Sequence, residues 1–141
     1  YLDGDWCYRV HPFRVTNASK ALVLHNIAYL LDGYLKSPDV DLVLFSWVMN
    51  KREIRDAVLS KMAERGKCLF VTLTASEETL VKRFAKDIAA GLRTQEGLTR
   101  ALSYLPDYEA DFGGLKLMTD GKEPDELAEI VKEYISTHRE D

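Results

Sequence analysis

The chain has 141 residues, 46% of them hydrophobic and 30% charged, with a formal net charge of −4. That length and balance suit one folded domain with a buried core, and the acidic balance argues against a broad nucleic-acid footprint, which needs a basic face. No apolar run reaches membrane-spanning length, so a cytoplasmic protein with no membrane partner is expected. Cys7 and Cys68 are too few for a disulfide framework, and the scattered His11, His25 and His138 lack zinc-ligand spacing.

Tyr1 and Leu2 read as the end of a strand, followed by the turn Asp3-Gly4-Asp5. Trp6 to Val15 mixes aromatic and basic residues around Pro12, which breaks regularity. Thr16-Asn17 offers an N-cap. Beyond it, Leu22, Val23, Ile27, Leu30, Leu31 and Tyr34 recur at helical spacing and predict one long amphipathic helix to Lys36. Val40 to Val48 is almost continuously apolar and β-branched, the pattern of a strand buried on both faces. A second helix is predicted from Lys51 to Arg65, closed by Gly66 as its C-cap. Cys68 to Leu73 reads as another buried strand, with Cys68 inside it. Ser76 caps a third helix running to about Ile88.

Residues 89–114 are polar and interrupted by Gly91, Gly97 and Pro106, with a short helix near Thr94 to Leu105. Leu115 to Met118 is a last short strand. Thr119-Asp120-Gly121 forms a turn, and Pro124 opens the closing helix, whose stripe is Leu127, Ile130, Val131 and Tyr134. Buried strands alternating with amphipathic helices predict an α/β fold: a three-layer αβα arrangement around a parallel sheet, with a helical insert before the last strand. Ligands of such sheets bind at the carboxyl ends of the strands. The polar segments Asp3 to Arg14, Ser46 to Arg52 and Thr74 to Ser76 fall there.

Four groups of residues could carry chemistry. Asp3 and Asp5 flank a glycine at a strand end. There, one carboxylate could hold magnesium and the other could accept a hydroxyl proton; an ordinary polar turn has the same composition. Arg9, His11 and Arg14 suit phosphate or carboxylate groups, or are simply solvated. Lys82, Arg83, Lys86, Arg93 and Arg100 concentrate positive charge beside the glycine-interrupted insert, as in a lid closing over phosphates. A solvated charged helix face is the plainer reading. Trp47 is either a stacking surface for a planar ring or a core residue at the sheet edge.

The string Tyr1-Leu2-Asp3-Gly4-Asp5-Trp6 resembles the second-strand end of small-molecule P-loop kinases such as shikimate, adenylylsulfate and gluconate kinases. Leu80-Val81-Lys82-Arg83-Phe84 resembles the start of their lid, and Leu117 to Lys122 with Pro124 to Ala128 resembles their last strand and closing helix. The LDGDW and WVM strings are similar to those of a group of bacterial nucleotide-kinase-like proteins. The resemblance implies one kinase-like domain over 1–141 with a lid at 89–114, ATP and Mg2+ as cofactors, and a small-molecule acceptor as partner. It implies Asp3, Asp5, Arg83 and Arg93 as catalytic residues, with Asp3 and Asp5 on the metal. Arg9, Arg14, Trp47 and Trp6 would meet the acceptor, and Arg83, Lys86, Asp120 and Gly121 would meet ATP.

The family's G-x-x-x-x-G-K-[ST] loop, whose backbone N–H groups and lysine cradle the phosphates, does not occur in these residues. It is expected, with the strand before it, upstream of Tyr1. The third strand ends in Ser46-Trp47 where many relatives place an acidic magnesium ligand, which puts that duty on Asp3 and Asp5. The alternative is a non-catalytic nucleotide- or partner-binding module of degenerate kinase fold. A Rossmann-type domain lacks support because G-x-G-x-x-G is absent.

Overall fold

A computed structural model describes residues 1–64 and 66–139. The chain is mixed α/β and divides into two compact units, Tyr1–Gly66 and Lys67–Asp141. Among the described residues, no helix is long and apolar enough to cross a membrane.

The first unit opens with strand β1 (Leu2–Asp3), which turns at once into a 3₁₀ segment, Gly4–Cys7. Helix α1 follows (Asn17–Lys36), then β2 (Phe45–Ser46) and α2 (Arg52–Lys61). Thr16 caps α1 in a reciprocal box. Its hydroxyl accepts from the Ser19 N–H at 3.1 Å, and the Thr16 N–H donates to the Ser19 hydroxyl at 2.8 Å. Within α1, the predicted stripe delivers Ile27 and Leu31, which are buried with Leu2, Ala28, Val58 and Met62. Leu22 and Tyr34, also assigned to that stripe, are exposed instead.

β1 and β2 pair in parallel, Leu2 opposite Phe45 and Asp3 opposite Ser46. The strand predicted over Val40 to Val48 is therefore far shorter than its apolar run. β1 lasts only two residues before Gly4 turns away, and a ladder cannot outrun its partner. Nor is the run buried on both faces: Val43, Phe45 and Trp47 pack on the core, whereas Leu42, Leu44 and Val48 are about half exposed, at 50, 48 and 54%.

Helix α2 stops at Lys61, short of the predicted Arg65, which lies outside the described residues. Gly66 is accordingly not its C-cap; Met62 is, with an extended ψ of 132°. The cause sits on α1. Both oxygens of the Asp32 carboxylate accept from the next turn of chain, Oδ2 from the Ala63 N–H and Oδ1 from the Glu64 N–H, each at 3.0 Å.

The second unit holds β3 (Val71–Thr74), α3 (Glu77–Ala89), α4 (Gln95–Ser103), a 3₁₀ turn (Pro106–Glu109), β4 (Leu115–Met118) and α5 (Pro124–His138). β3 and β4 pair in parallel over four residues, Val71 opposite Leu115 through Thr74 opposite Met118. The two parallel pairs form two sheets, one in each unit. Cys68 is exposed and precedes β3, contrary to its predicted place inside the strand; the register with β4 begins at Val71. Ser76 caps α3 and Pro124 starts α5, both as predicted. In the predicted insert, α4 lies on α3, and Phe84 and Leu98 are buried.

The Ala63 N–H, then the Glu64 N–H, hold the Asp32 carboxyl below its ordinary value of 3.8. A lowered native pKa adds stability above the ordinary value and loses it as pH falls through the lowered one. Asp32→Ala is therefore expected to destabilise the first unit at neutral pH. In urea unfolding across a pH series, its deficit should narrow as pH drops below 3.8.

Candidate functional site

In the first unit, the carboxyl ends of β1 and β2 bring Asp3, Asp5 and Trp47 together. The Asp3 carboxylate accepts from the Asp5 N–H at 2.9 Å and so caps the 3₁₀ turn. The Asp5 carboxylate accepts from the Trp47 indole N–H at 3.1 Å through Oδ1. No other partner engages Asp5's side chain among the described residues. Beside them, the Tyr1 hydroxyl and Ser46 hydroxyl share a hydrogen bond of 2.6 Å. The turn is tied down from behind by Asn26 of α1, whose side-chain amide donates to the Cys7 carbonyl at 2.8 Å.

Gly4 makes this arrangement possible, for a reason other than the tight turn expected of it. Its φ is not positive. Instead the Trp47 side chain occupies the space a Cβ would need: that atom would stand 2.4 Å from the indole Cγ and 2.5 Å from Cδ1. Trp47 packs against the core, the second of its two predicted roles, and its polar end is bonded to Asp5. Trp6 is 60% exposed. Arg9, His11 and Arg14 are exposed as well and form no hydrogen bond or ion pair with the acidic turn among the described residues. Cys7 is buried in the core cluster, and burial, with a smaller push from the Asp3 charge, raises its thiol pKa, which disfavours the thiolate.

In the second unit, the carboxyl ends of β3 and β4 gather Arg83, Thr119 and Asp120. Arg83 donates through Nη1 to the Thr119 hydroxyl at 2.9 Å and through Nη2 to the Thr119 carbonyl at 3.0 Å. The buried Thr119 hydroxyl in turn donates to the Thr74 carbonyl at 2.9 Å. Asp120 accepts from the Ser76 N–H at 3.0 Å. Bonds from the Ser76 hydroxyl and then its N–H hold the Asp120 carboxyl below the usual range, helped by Thr79 and the Arg83 charge. Gly121 follows with φ +66°, a conformation that suits glycine. Arg93 sits apart from this group: its Nε pairs with Asp87 at 3.0 Å, and its guanidinium lies over the Phe84 ring, 4.7 Å from the centroid. Lys86 is exposed in the last turn of α3.

The sequence singled out Arg83 and Asp120 but not Thr119, the residue that links them. A threonine at a strand end carries no signal of its own; its importance comes from Thr74, 45 residues away.

Two carboxylates are hard oxygen donors of the kind magnesium takes. No group of three or more His, Cys, Asp or Glu side chains is arranged to hold a metal ion among the described residues, so water and phosphate oxygens would have to complete such a site. Every buried side-chain nitrogen or oxygen among the described residues is already hydrogen-bonded. A shallow open hollow of ≈ 350 Å³ is lined by Tyr1, Tyr34 and residues 39–43; none of the predicted site residues lines it.

Adding a methyl group at Gly4 should push Trp47 aside. Gly4→Ala is expected to cost about 1–3 kcal/mol of stability, the usual penalty of overpacking, and to shift the Trp47 indole N–H resonance as its bond to Asp5 is lost. An unmoved resonance and an unchanged unfolding midpoint would contradict the close approach. No family model matches the chain, and no curated protein or solved structure matches it either.

Proposed function

We propose that the protein transfers a phosphoryl group from ATP to a small acceptor bearing a hydroxyl or phosphate, on the three-layer αβα frame of P-loop kinases, with residues 89–114 as its lid. One observation carries this reading. Asp5 stands at the carboxyl end of a parallel strand pair with one carboxylate oxygen fixed by Trp47, which leaves the second oxygen to take the acceptor's hydroxyl proton. Bound magnesium-ATP supplies the phosphoryl group. Asp3 and Asp5 would hold the metal, and Arg9, Arg14, Trp6 and Trp47 would surround the acceptor.

A second reading draws on a different observation. Arg83 and Arg93 are each committed inside the chain, to Thr119 and to Asp87 with Phe84. Cations already engaged in this way favour a module of degenerate kinase fold that binds a nucleotide or partner without catalysis. Binding of magnesium-ATP with no turnover would select this alternative.

The deciding assay is phosphoryl transfer by the full chain from magnesium-ATP to nucleoside, sugar and antibiotic acceptors. Asp5→Asn is expected to lower turnover by about 10²–10⁴-fold, the usual worth of a general base, while the unfolding midpoint changes little. Unchanged turnover in Asp5→Asn would remove Asp5 from the mechanism, and no transfer to any acceptor would remove the enzyme reading itself.

A further inference from the structure

We propose that the molecule taken at the Asp5 turn carries a planar ring, received between Trp6 and Tyr1; as a statement about the acceptor this rests on the phosphoryl-transfer reading, but the binding it describes does not. The Tyr1 and Trp6 rings meet edge to face, with centroids 6.0 Å apart and planes at 85°. They remain 69% and 60% exposed. Two such walls make a right-angled corner. A flat guest laid against one wall presents its edge or face to the other, so both arrangements that aromatic rings favour are met together.

The corner is held in place before any guest arrives. The Tyr1 hydroxyl is bonded to Ser46 at 2.6 Å. Trp6 lies within the 3₁₀ turn, which Asp3 caps and Asn26 anchors to α1. Fixing the walls in advance removes an ordering cost from binding. Trp6 also follows Asp5 directly in the chain, so the ring wall and the carboxylate belong to one turn. Trp47, the other tryptophan, is less suited to the role. The Gly4 backbone lies against its ring, and its N–H is spent on Asp5. A ringless polyol would gain nothing from the corner.

The test is a nuclear magnetic resonance titration of the full chain, without ATP, following both indole N–H signals. Adenosine, guanosine, cytidine and thymidine serve as ring-bearing probes and sorbitol as the ringless control. At least one nucleoside should shift the Trp6 signal saturably, and sorbitol should not. Read in both variants from saturation transfer to the nucleoside's own proton signals, Trp6→Ala should weaken that binding by about tenfold or more, in line with base–aromatic stacking elsewhere, whereas Trp6→Phe should keep it within a few-fold. An unshifted Trp47 signal in both variants shows that the turn is intact. The proposal is overturned if no nucleoside moves the Trp6 signal, or if Trp6→Ala binds as tightly as the parent. Saturable binding without phosphoryl transfer would support the ring site and count against the transfer reading alone.

Discussion

The first unit depends on an absence: with no side chain at Gly4, the Trp47 indole can rest on the backbone of the acidic turn. From that position its N–H reaches Asp5 while the rest of the ring packs on the core. One residue therefore joins the hydrophobic interior to the polar end of the strands. The orientation of the Asp5 carboxylate follows from packing as much as from hydrogen bonding. Ordered carboxylates are what catalytic sites need, since a group held in one geometry costs less to use than one that must be found.

The second unit solves a similar problem with polar links. Thr119 receives two bonds from Arg83 and passes one on to Thr74. These links tie the end of β4 to α3 and to β3. Two strands of four residues offer few ladder bonds, so side-chain bonds at their ends carry a large share of the local order. Arg93 has a comparable part, covering the buried Phe84 ring while pairing with Asp87. Charges that looked like a cationic flap in the sequence thus work, in part, as fasteners.

How much was legible follows from how local each signal is. Ser76, Pro124 and the bounds of β4 were readable because capping and proline geometry act within a few residues. The period of α1 placed Ile27 and Leu31 in the core for the same reason. Strand lengths were not readable, since the apolar run from Val40 is cut to two residues by a partner more than 40 positions earlier in the chain. The role of Gly4 was hidden likewise, because the turn's composition gives no hint of an indole 43 residues on. The acidic turn, Trp47, Arg83 and Asp120 were each singled out by the sequence, but the bonds that join Asp5 to Trp47, Arg83 to Thr119 and Asp120 to Ser76 emerge only with the fold.

Asp120 has a consequence for any anion near α3. The first turn of a helix carries the positive end of its dipole, and its free N–H groups commonly receive phosphate. Here negative charge already stands at that end: the Ser76 N–H donates to the Asp120 carboxylate, and Glu77 and Glu78 add two more negative charges in the same turn. The free N–H groups of this first turn thus face carboxylates of the chain itself, so the helix end alone is no ready-made anion site.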